Sequence, residues 1–161
     1  MRLIEKTSVY AIKALLYMYS QLEKKDSREN KYFLAPRIAQ KCEIPKFYLS
    51  KILEHLVKKG ILISAKGKKG GYTFAVLPKQ ITLYDIVEPF ENLYTQKICF
   101  FEGGICKLYD TTGTNKGCVL HPLIKETSLH FFNQLKNITL ESIFLANPQL
   151  FSTQRTITRK R

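Results

Sequence analysis

The sequence predicts a mostly α-helical fold that carries one small β-hairpin. Three observations support this class: apolar residues recur at spacings of three and four, short apolar runs flank a glycine-rich turn, and prolines or glycines bound the periodic stretches. With 161 residues and a hydrophobic share of 45%, the chain is long enough to fold around its own core. No apolar run reaches the roughly 18 residues of a membrane span, and no signal-peptide core is present, so we expect a cytoplasmic protein without a membrane partner.

The helices of the first half follow one another closely. An amphipathic helix is predicted over residues 6–22, and a charged, solvated loop is predicted over residues 23–31. A short helix is predicted over residues 36–42, because a proline in the first turn sacrifices no helical hydrogen bond. After a tight turn, a third helix is predicted over residues 45–59, and Gly60 stands where a glycine commonly ends a helix.

A β-hairpin with a basic tip follows the third helix. Apolar strands at 61–65 and 72–76 flank a turn at 66–71 that consists mainly of lysines and glycines. Eight lysines but only two acidic residues lie between Lys41 and Lys69, and the whole chain has a formal charge of +13. Such a charge favours a polyanion, with DNA as the commonest one. The alternatives are an anionic membrane, or a solvated lysine face beside a purely structural hairpin.

The second half is less regular. Thr82 is expected to cap a short helix, and residues 94–117 are expected to form a loop because they show no periodic pattern. A long apolar helix is predicted over 122–136, and a last short helix over 139–145. The basic C-terminal residues 151–161 are expected to be disordered.

The order of these elements is that of a winged helix-turn-helix. In this fold the third helix enters the major groove of DNA, and the hairpin contacts an adjacent minor groove or the phosphates. The sequence therefore predicts four segments: a winged helix-turn-helix DNA-binding domain at 1–90, a cysteine-bearing sensor loop at 91–121, a dimerisation helix region at 122–147 and a basic, disordered tail at 148–161.

Three stretches of the chain carry the motifs of one bacterial family. They are the opening Lys-Thr-x-x-Tyr-Ala-Ile at 6–12, the wing Gly-Gly-Tyr at 70–72 and Ile-Thr-Leu-Tyr-Asp-Ile-Val at 81–87. With them, roughly residues 1 to 145 resemble the IscR/NsrR/CymR-type (Rrf-type) winged-helix transcriptional regulators. The resemblance implies a homodimer that binds a palindromic promoter site on double-stranded DNA, in many members with an iron–sulfur cluster as the sensor.

The resemblance also implies which residues read DNA. Phe47, Ser50 and Lys51 occupy the base-reading positions of the third helix, and Lys66 takes the place of a wing arginine that enters the minor groove. The lysine is a departure from the family, since it lacks the planar fork of a guanidinium group.

Four neighbouring positions complete this interpretation. Lys68 and Lys69 share the glycine-built tip and are expected to contact DNA with Lys66. Tyr48 stands where the family packs a tyrosine, so we expect it in the core. Glu43 replaces the family's turn glycine, which predicts a slightly strained turn.

Three of the four cysteines lie close together in the predicted sensor loop. Cys99, Cys106 and Cys118 are separated by six and eleven residues, and His121 follows Cys118 after two more. Thiolates with an imidazole suit an iron–sulfur cluster or tetrahedral zinc, and the spacing alone does not separate the two. A thiol redox switch and inert thiols are further alternatives. Cys42 stands apart and is expected to be a small buried hydrophobe.

The resemblance implies that these three cysteines are cluster ligands, with a 2Fe–2S cluster favoured over 4Fe–4S and zinc as the alternative. In part of the family an acidic residue of the first helix, just before the tyrosine, completes the site. Here Val9 holds that position and cannot donate to iron, so His121 is the predicted fourth ligand and Glu5 the fallback. The eleven-residue gap is longer than is usual in the family.

The predicted function is a homodimeric, sequence-specific transcriptional regulator that senses redox state, nitric oxide or cluster supply through an iron–sulfur cluster. The alternative is a zinc-binding or thiol-redox-switched regulator without one. Phe131 and Phe132 are expected in the dimer surface, because the long helix has more apolar area than a lone surface helix buries. An enzyme is not expected, because the sequence has no Cys-x-x-Cys pair, nucleophile elbow or paired-carboxylate motif.

Overall fold

Six α-helices, two β-strands and two 3₁₀ turns make up the part of the chain that the computed structural model describes, which is residues 4–23, 32–67, 70–91 and 120–147 without the side chain of His121. In chain order they are α1 (Lys6–Glu23), α2 (Ala35–Cys42), α3 (Lys46–Lys58), β1 (Leu62–Ala65), β2 (Gly71–Phe74), a 3₁₀ turn (Pro78–Gln80), α4 (Leu83–Val87), a second 3₁₀ turn (Glu88–Phe90), α5 (Leu120–Leu135) and α6 (Leu140–Ala146). The mostly helical class with one antiparallel hairpin is confirmed.

Predicted and observed elements differ mainly at their ends. Helix α2 begins one residue before the predicted start, and α5 begins at Leu120, two residues before it. Residues 24–31 of the predicted charged loop, the loop 94–117 and the tail 151–161 lie outside the described residues. The division of the chain into four segments stays a prediction. In the described ranges, no helix is both long enough and apolar enough to cross a membrane.

Helix α1 is buried on more sides than the predicted amphipathic helix would be. Residues 14–20 are all buried, and Ala11, Ala14, Leu15 and Met18 expose no surface. The helix contacts α2, α3, α4 and α6, so its second half lies inside the core. Only the first turns of α1 fit the amphipathic prediction. The second half does not, because a helix that is covered on every side is apolar around its circumference.

Two left-handed turns set the geometry around α3. Gly60 ends α3 with φ +73°, and the N–H groups of Gly60 and Ile61 donate to the carbonyls of Val57 and Leu56 at 2.9 and 3.0 Å. This Schellman motif confirms the glycine stop. The turn before α3 places Glu43 at φ 56°, which confirms the strain expected where the family uses glycine.

Helices α4 and α6 each begin after a threonine N-cap, as predicted. The Thr82 hydroxyl oxygen accepts from the Asp85 N–H at 3.1 Å, and the Asp85 carboxylate accepts from the Thr82 N–H at 2.9 Å. Thr139 and Ser142 make the corresponding pair at 3.1 and 3.0 Å. Each reciprocal pair satisfies two backbone donors at a helix start. The two threonines also form an antiparallel bridge, which holds α4 and α6 together.

Phe132 belongs to the chain's own core, which corrects its predicted place in a dimer surface. It is 5% exposed and forms a second buried cluster with Val87 and Leu135. Phe131 is half-buried and packs edge-on against Phe132, with ring centroids 5.3 Å apart. The apolar excess of α5 is therefore used largely to attach this helix to α4, a partner that periodicity alone does not reveal.

Candidate nucleic-acid interface

The outer face of α3 presents the side chains that the sequence predicts for base reading. One side of the helix is buried through Leu49, Ile52, Leu53 and Leu56. Phe47, Ser50 and Lys51 recur at spacings of three and four on the other side, and all three are exposed, with Phe47 at 68%. We call these three residues the reading face. Their contact with DNA stays a prediction.

Local contacts orient the side chains of the reading face. The Lys51 ammonium lies 4.3 Å from the centroid of the Phe47 ring, within the range of a cation–π contact. The Ser50 hydroxyl donates to the Lys46 carbonyl at 3.1 Å, which leaves its oxygen able to accept a hydrogen bond. The face therefore offers an apolar ring, a cation and a hydroxyl acceptor side by side.

Tyr48 is not a core residue, contrary to the sequence prediction. Its side chain is 55% exposed and makes an edge contact with Phe47, with ring centroids 6.3 Å apart. Helical spacing already signals this position, because Tyr48 falls outside the buried stripe of 49, 52, 53 and 56. Tyr48 thus lies in solvent at the edge of the reading face, and the sequence interpretation missed this position.

The wing is held to the rest of the fold by close backbone contacts. Strands β1 and β2 pair in the register Leu62–Phe74 to Ala65–Gly71, and residue 72 makes two further backbone hydrogen bonds to residue 33 at 2.8 and 2.9 Å. A Cβ atom on Gly70 would lie 2.1 Å from the Ala65 carbonyl oxygen. A glycine is thus needed here for space.

The basic tip of the wing is only partly described. Lys66 is exposed at the end of β1, beside Gly67, whose φ is +104°. Lys68 and Lys69 lie outside the described residues. Lys66 and the reading face are both open to solvent, which is the first requirement for an interface with DNA.

The predicted metal ligands are not brought together by the described parts of the structure. Cys99, Cys106 and Cys118 lie outside those parts, and His121 is described only as backbone in the first turn of α5. In the four described ranges, no group of three or more His, Cys, Asp or Glu residues could hold a metal ion. Glu5 is exposed just before α1. The ligand set therefore stays a prediction.

Cys42 is a buried hydrophobe, as predicted. It is enclosed in the main core, and its thiol donates to the Lys13 carbonyl with an S···O distance of 3.7 Å. Burial raises the pKa of the Cys42 thiol to about 12, although the charge of Lys13 opposes this shift. The thiol therefore stays protonated at neutral pH and is a poor nucleophile and metal ligand.

A helix-turn-helix with an exposed reading face, followed by a basic wing, defines a winged-helix regulator of transcription. The family profile of Rrf2, described as an iron-dependent transcriptional regulator, matches residues 4–145. The chain therefore belongs to the Rrf2 family, as the sequence motifs predicted.

Individual relatives agree with this assignment. The protein aau3 of Rhizobium meliloti (strain 1021) is 29% identical over 151 residues, which cover 93% of this chain and 89% of aau3. The regulator NsrR of Oceanobacillus iheyensis is 24% identical over 152 residues, covering 92% and 94% of the two chains.

Two solved structures share the fold. IscR of T. potens superposes with a TM-score of 0.64 at 19% identity, covering 94% of this chain and 92% of IscR. CymR of B. subtilis superposes with a TM-score of 0.61 at 18% identity, covering 91% and 98%. These likenesses confirm the winged-helix architecture.

Proposed function

We propose that this Rrf2-family regulator acts in the cytoplasm as a homodimer that binds a palindromic promoter site. Helix α3 reads base edges in the major groove through Phe47, Ser50 and Lys51, and the wing contacts the neighbouring minor groove through Lys66, Lys68 and Lys69. The observation that carries this proposal is the exposed reading face, whose ring, cation and hydroxyl lie together on the helix that follows the tight turn.

Replacing the three wing lysines by alanine is expected to weaken binding to every DNA sequence. Each lysine that neutralises a phosphate releases counterions, so losing three contacts lowers the slope of log Kd against log salt by up to about 2.7. Kd is measured over a series of salt concentrations with a specific and a random duplex. An unchanged slope would show that Lys66, Lys68 and Lys69 do not contact DNA.

Substitutions on the reading face are expected to change sequence preference instead. Lys51→Ala and Ser50→Ala should each alter discrimination at particular base pairs by about 1–3 kcal/mol, because side chains at these positions face base edges. Selection from a random-sequence library, carried out with each variant, measures the preference. A uniform loss across all base pairs would make the two residues phosphate contacts and contradict the proposed register of α3.

We further propose that the regulator senses through an iron–sulfur cluster held by Cys99, Cys106, Cys118 and His121, with Glu5 as the fallback for the fourth ligand. Three thiols and an imidazole within 23 residues form a suitable donor set, and the family to which the chain belongs is described as iron-dependent. Cys42 is not part of this set, because its side chain is buried in the main core. When bound, a cluster would supply a charge and a ligation state that change with redox conditions. A zinc site with the same ligands is the alternative.

Anaerobic reconstitution of cysteine and histidine variants tests the ligand set. Each of Cys99→Ser, Cys106→Ser and Cys118→Ser should lose most of the visible absorbance and bound iron, because loss of a thiolate opens the cluster. Cys42→Ala is the matched control and should reconstitute like the wild type. A spectrally unchanged cluster in His121→Ala, with loss in Glu5→Ala, would transfer the fourth position to Glu5. Stoichiometric zinc in a colourless protein would favour the alternative.

The homodimer is proposed to form through the solvent side of α5. Leu123 and Leu129 are 60% and 44% exposed there, whereas Phe132 is committed to the chain's own core. A second copy that covers these leucines would remove apolar surface from water, which is the usual driving force for a stable homodimer.

A further inference from the structure

Residues 88–91, which we call the junction segment, lie between α4 and the cysteine-bearing part of the chain. The 3₁₀ turn Glu88–Phe90 continues directly from α4, and the Glu91 N–H donates to the Val87 carbonyl at 3.1 Å. Val87 is 1% exposed, so the beginning of the segment is anchored in the core. The segment is thus a continuation of a packed helix, and two of its neighbours are the helices α3 and α1.

The junction segment contacts the end of α3 at two points, one in the last turn and one at the C-cap residue Lys59. The Glu88 carboxylate pairs with the Lys59 ammonium at 2.6 Å, and the Phe90 ring meets the His55 ring edge-on with centroids 5.6 Å apart. His55 and Lys59 are four residues apart, at one side of the helix. An ion pair and an aromatic contact therefore fix the end of the helix whose beginning carries the reading face.

The same segment holds the start of α1. One oxygen of the Glu91 carboxylate accepts from the Glu5 N–H at 2.7 Å and from the Ser8 hydroxyl at 2.6 Å. Ser8 is fully buried, so a displaced Glu91 would leave its hydroxyl without this acceptor. A negative charge at the start of a helix also interacts favourably with the helix dipole. Movement of the segment is therefore coupled to two helices at once.

We propose that the junction segment sets the orientation of α3 in response to the state of the cysteine-bearing residues. Cys99 follows Glu91 by eight residues. A displacement of the chain at Cys99 is therefore transmitted toward the DNA-binding helices through Glu91. Glu88 and Phe90 are then positioning residues for the reading face. The Glu88–Lys59 pair is partly exposed, which makes it weak enough to be shifted by a modest change in ligation. This inference rests on the proposed metal sensing.

The test compares DNA affinity in two states of the full chain. Kd is measured for anaerobically reconstituted and for metal-free protein, with a duplex selected by the wild type from a random-sequence library. Glu88→Gln is expected to change the ratio of the two Kd values about fivefold toward one. This factor is at the lower end of typical allosteric coupling. Glu23→Gln, the same charge change at an exposed position at the end of α1, should leave the ratio as in the wild type. The exchanged pair Lys59→Glu with Glu88→Lys should restore it.

The outcomes separate this inference from the proposed function. A wild-type ratio that persists in Glu88→Gln and in Phe90→Ala would overturn the role of the junction segment and leave metal sensing intact. Equal Kd values for the two states of the wild type would overturn metal sensing, and this inference with it. Thermal unfolding shows whether Phe90→Ala still folds. If Phe90→Ala does not fold, the Kd ratio of Glu88→Gln alone tests the role of the junction segment.

Discussion

Gly70→Ala is expected to cost about 3 kcal/mol or more of folding stability and to weaken DNA binding about tenfold or more. The added Cβ would lie 2.1 Å from the Ala65 carbonyl oxygen and 2.8 Å from its carbon, both backbone atoms of β1. No rotamer relieves such a collision, so one strand of the wing has to move, and Lys66 moves with it. Denaturant unfolding measures the stability, and titration of a selected duplex measures the affinity.

Gly60→Ala is the matched control for this prediction. Gly60 has a positive φ, of +73°, unlike Gly70, and no atom lies within 4 Å of the position of its Cβ. Alanine there should cost only about 1 kcal/mol of backbone strain. Equal stability losses in the two variants would contradict the proposed collision at Gly70.

Phe132→Ala is expected to destabilise the fold by about 3–5 kcal/mol, because it leaves a cavity between α5 and α4. The ring packs against Val87 and Leu135 and is 5% exposed. For a domain of this size, such a loss lowers the melting temperature by about 6–20 °C. Denaturant unfolding measures the free energy, and sizing chromatography measures the association state.

Leu129→Ala on the same helix is the control. Its side chain is 44% exposed, so truncation should cost less than about 1 kcal/mol within one protomer. Should Phe132→Ala unfold like the wild type while losing self-association, the ring would belong to the dimer surface after all. If the dimer forms through the solvent side of α5 as proposed, Leu129→Asp is expected to weaken self-association without lowering the stability of the dissociated chain.

Local signals were sufficient to predict the α-helices and β-strands of the described residues and their order, but not the two 3₁₀ turns. Gly60, Thr82 and Thr139 were each predicted at the end of a helix and lie there in the structure. A cap or a helix stop depends on hydrogen bonds to residues three to five positions away, all of which can be read from the sequence. The family motifs were equally local, and the match over residues 4–145 confirmed the family they indicated.

The candidate site was predictable to different degrees. Helical spacing was enough to predict that Phe47, Ser50 and Lys51 share one face, and the structure places them together in solvent. Tyr48 was misplaced because the family resemblance was given more weight than the spacing. The ligand set of cysteines and His121 was inferred from residue type and motif, and it stays a prediction.

The sequence by itself determined which helices, caps and turns form, because these depend on neighbours along the chain. Only the tertiary structure decided which apolar surfaces meet. It packed Phe132 of α5 against α4 and enclosed the second half of α1. It also brought Glu88 to Lys59, which lies 29 positions earlier in the sequence. Hydrophobic burial has no direction and no fixed spacing, so an apolar residue fits a core and a dimer surface equally well in a sequence. The packing of distant segments makes that choice.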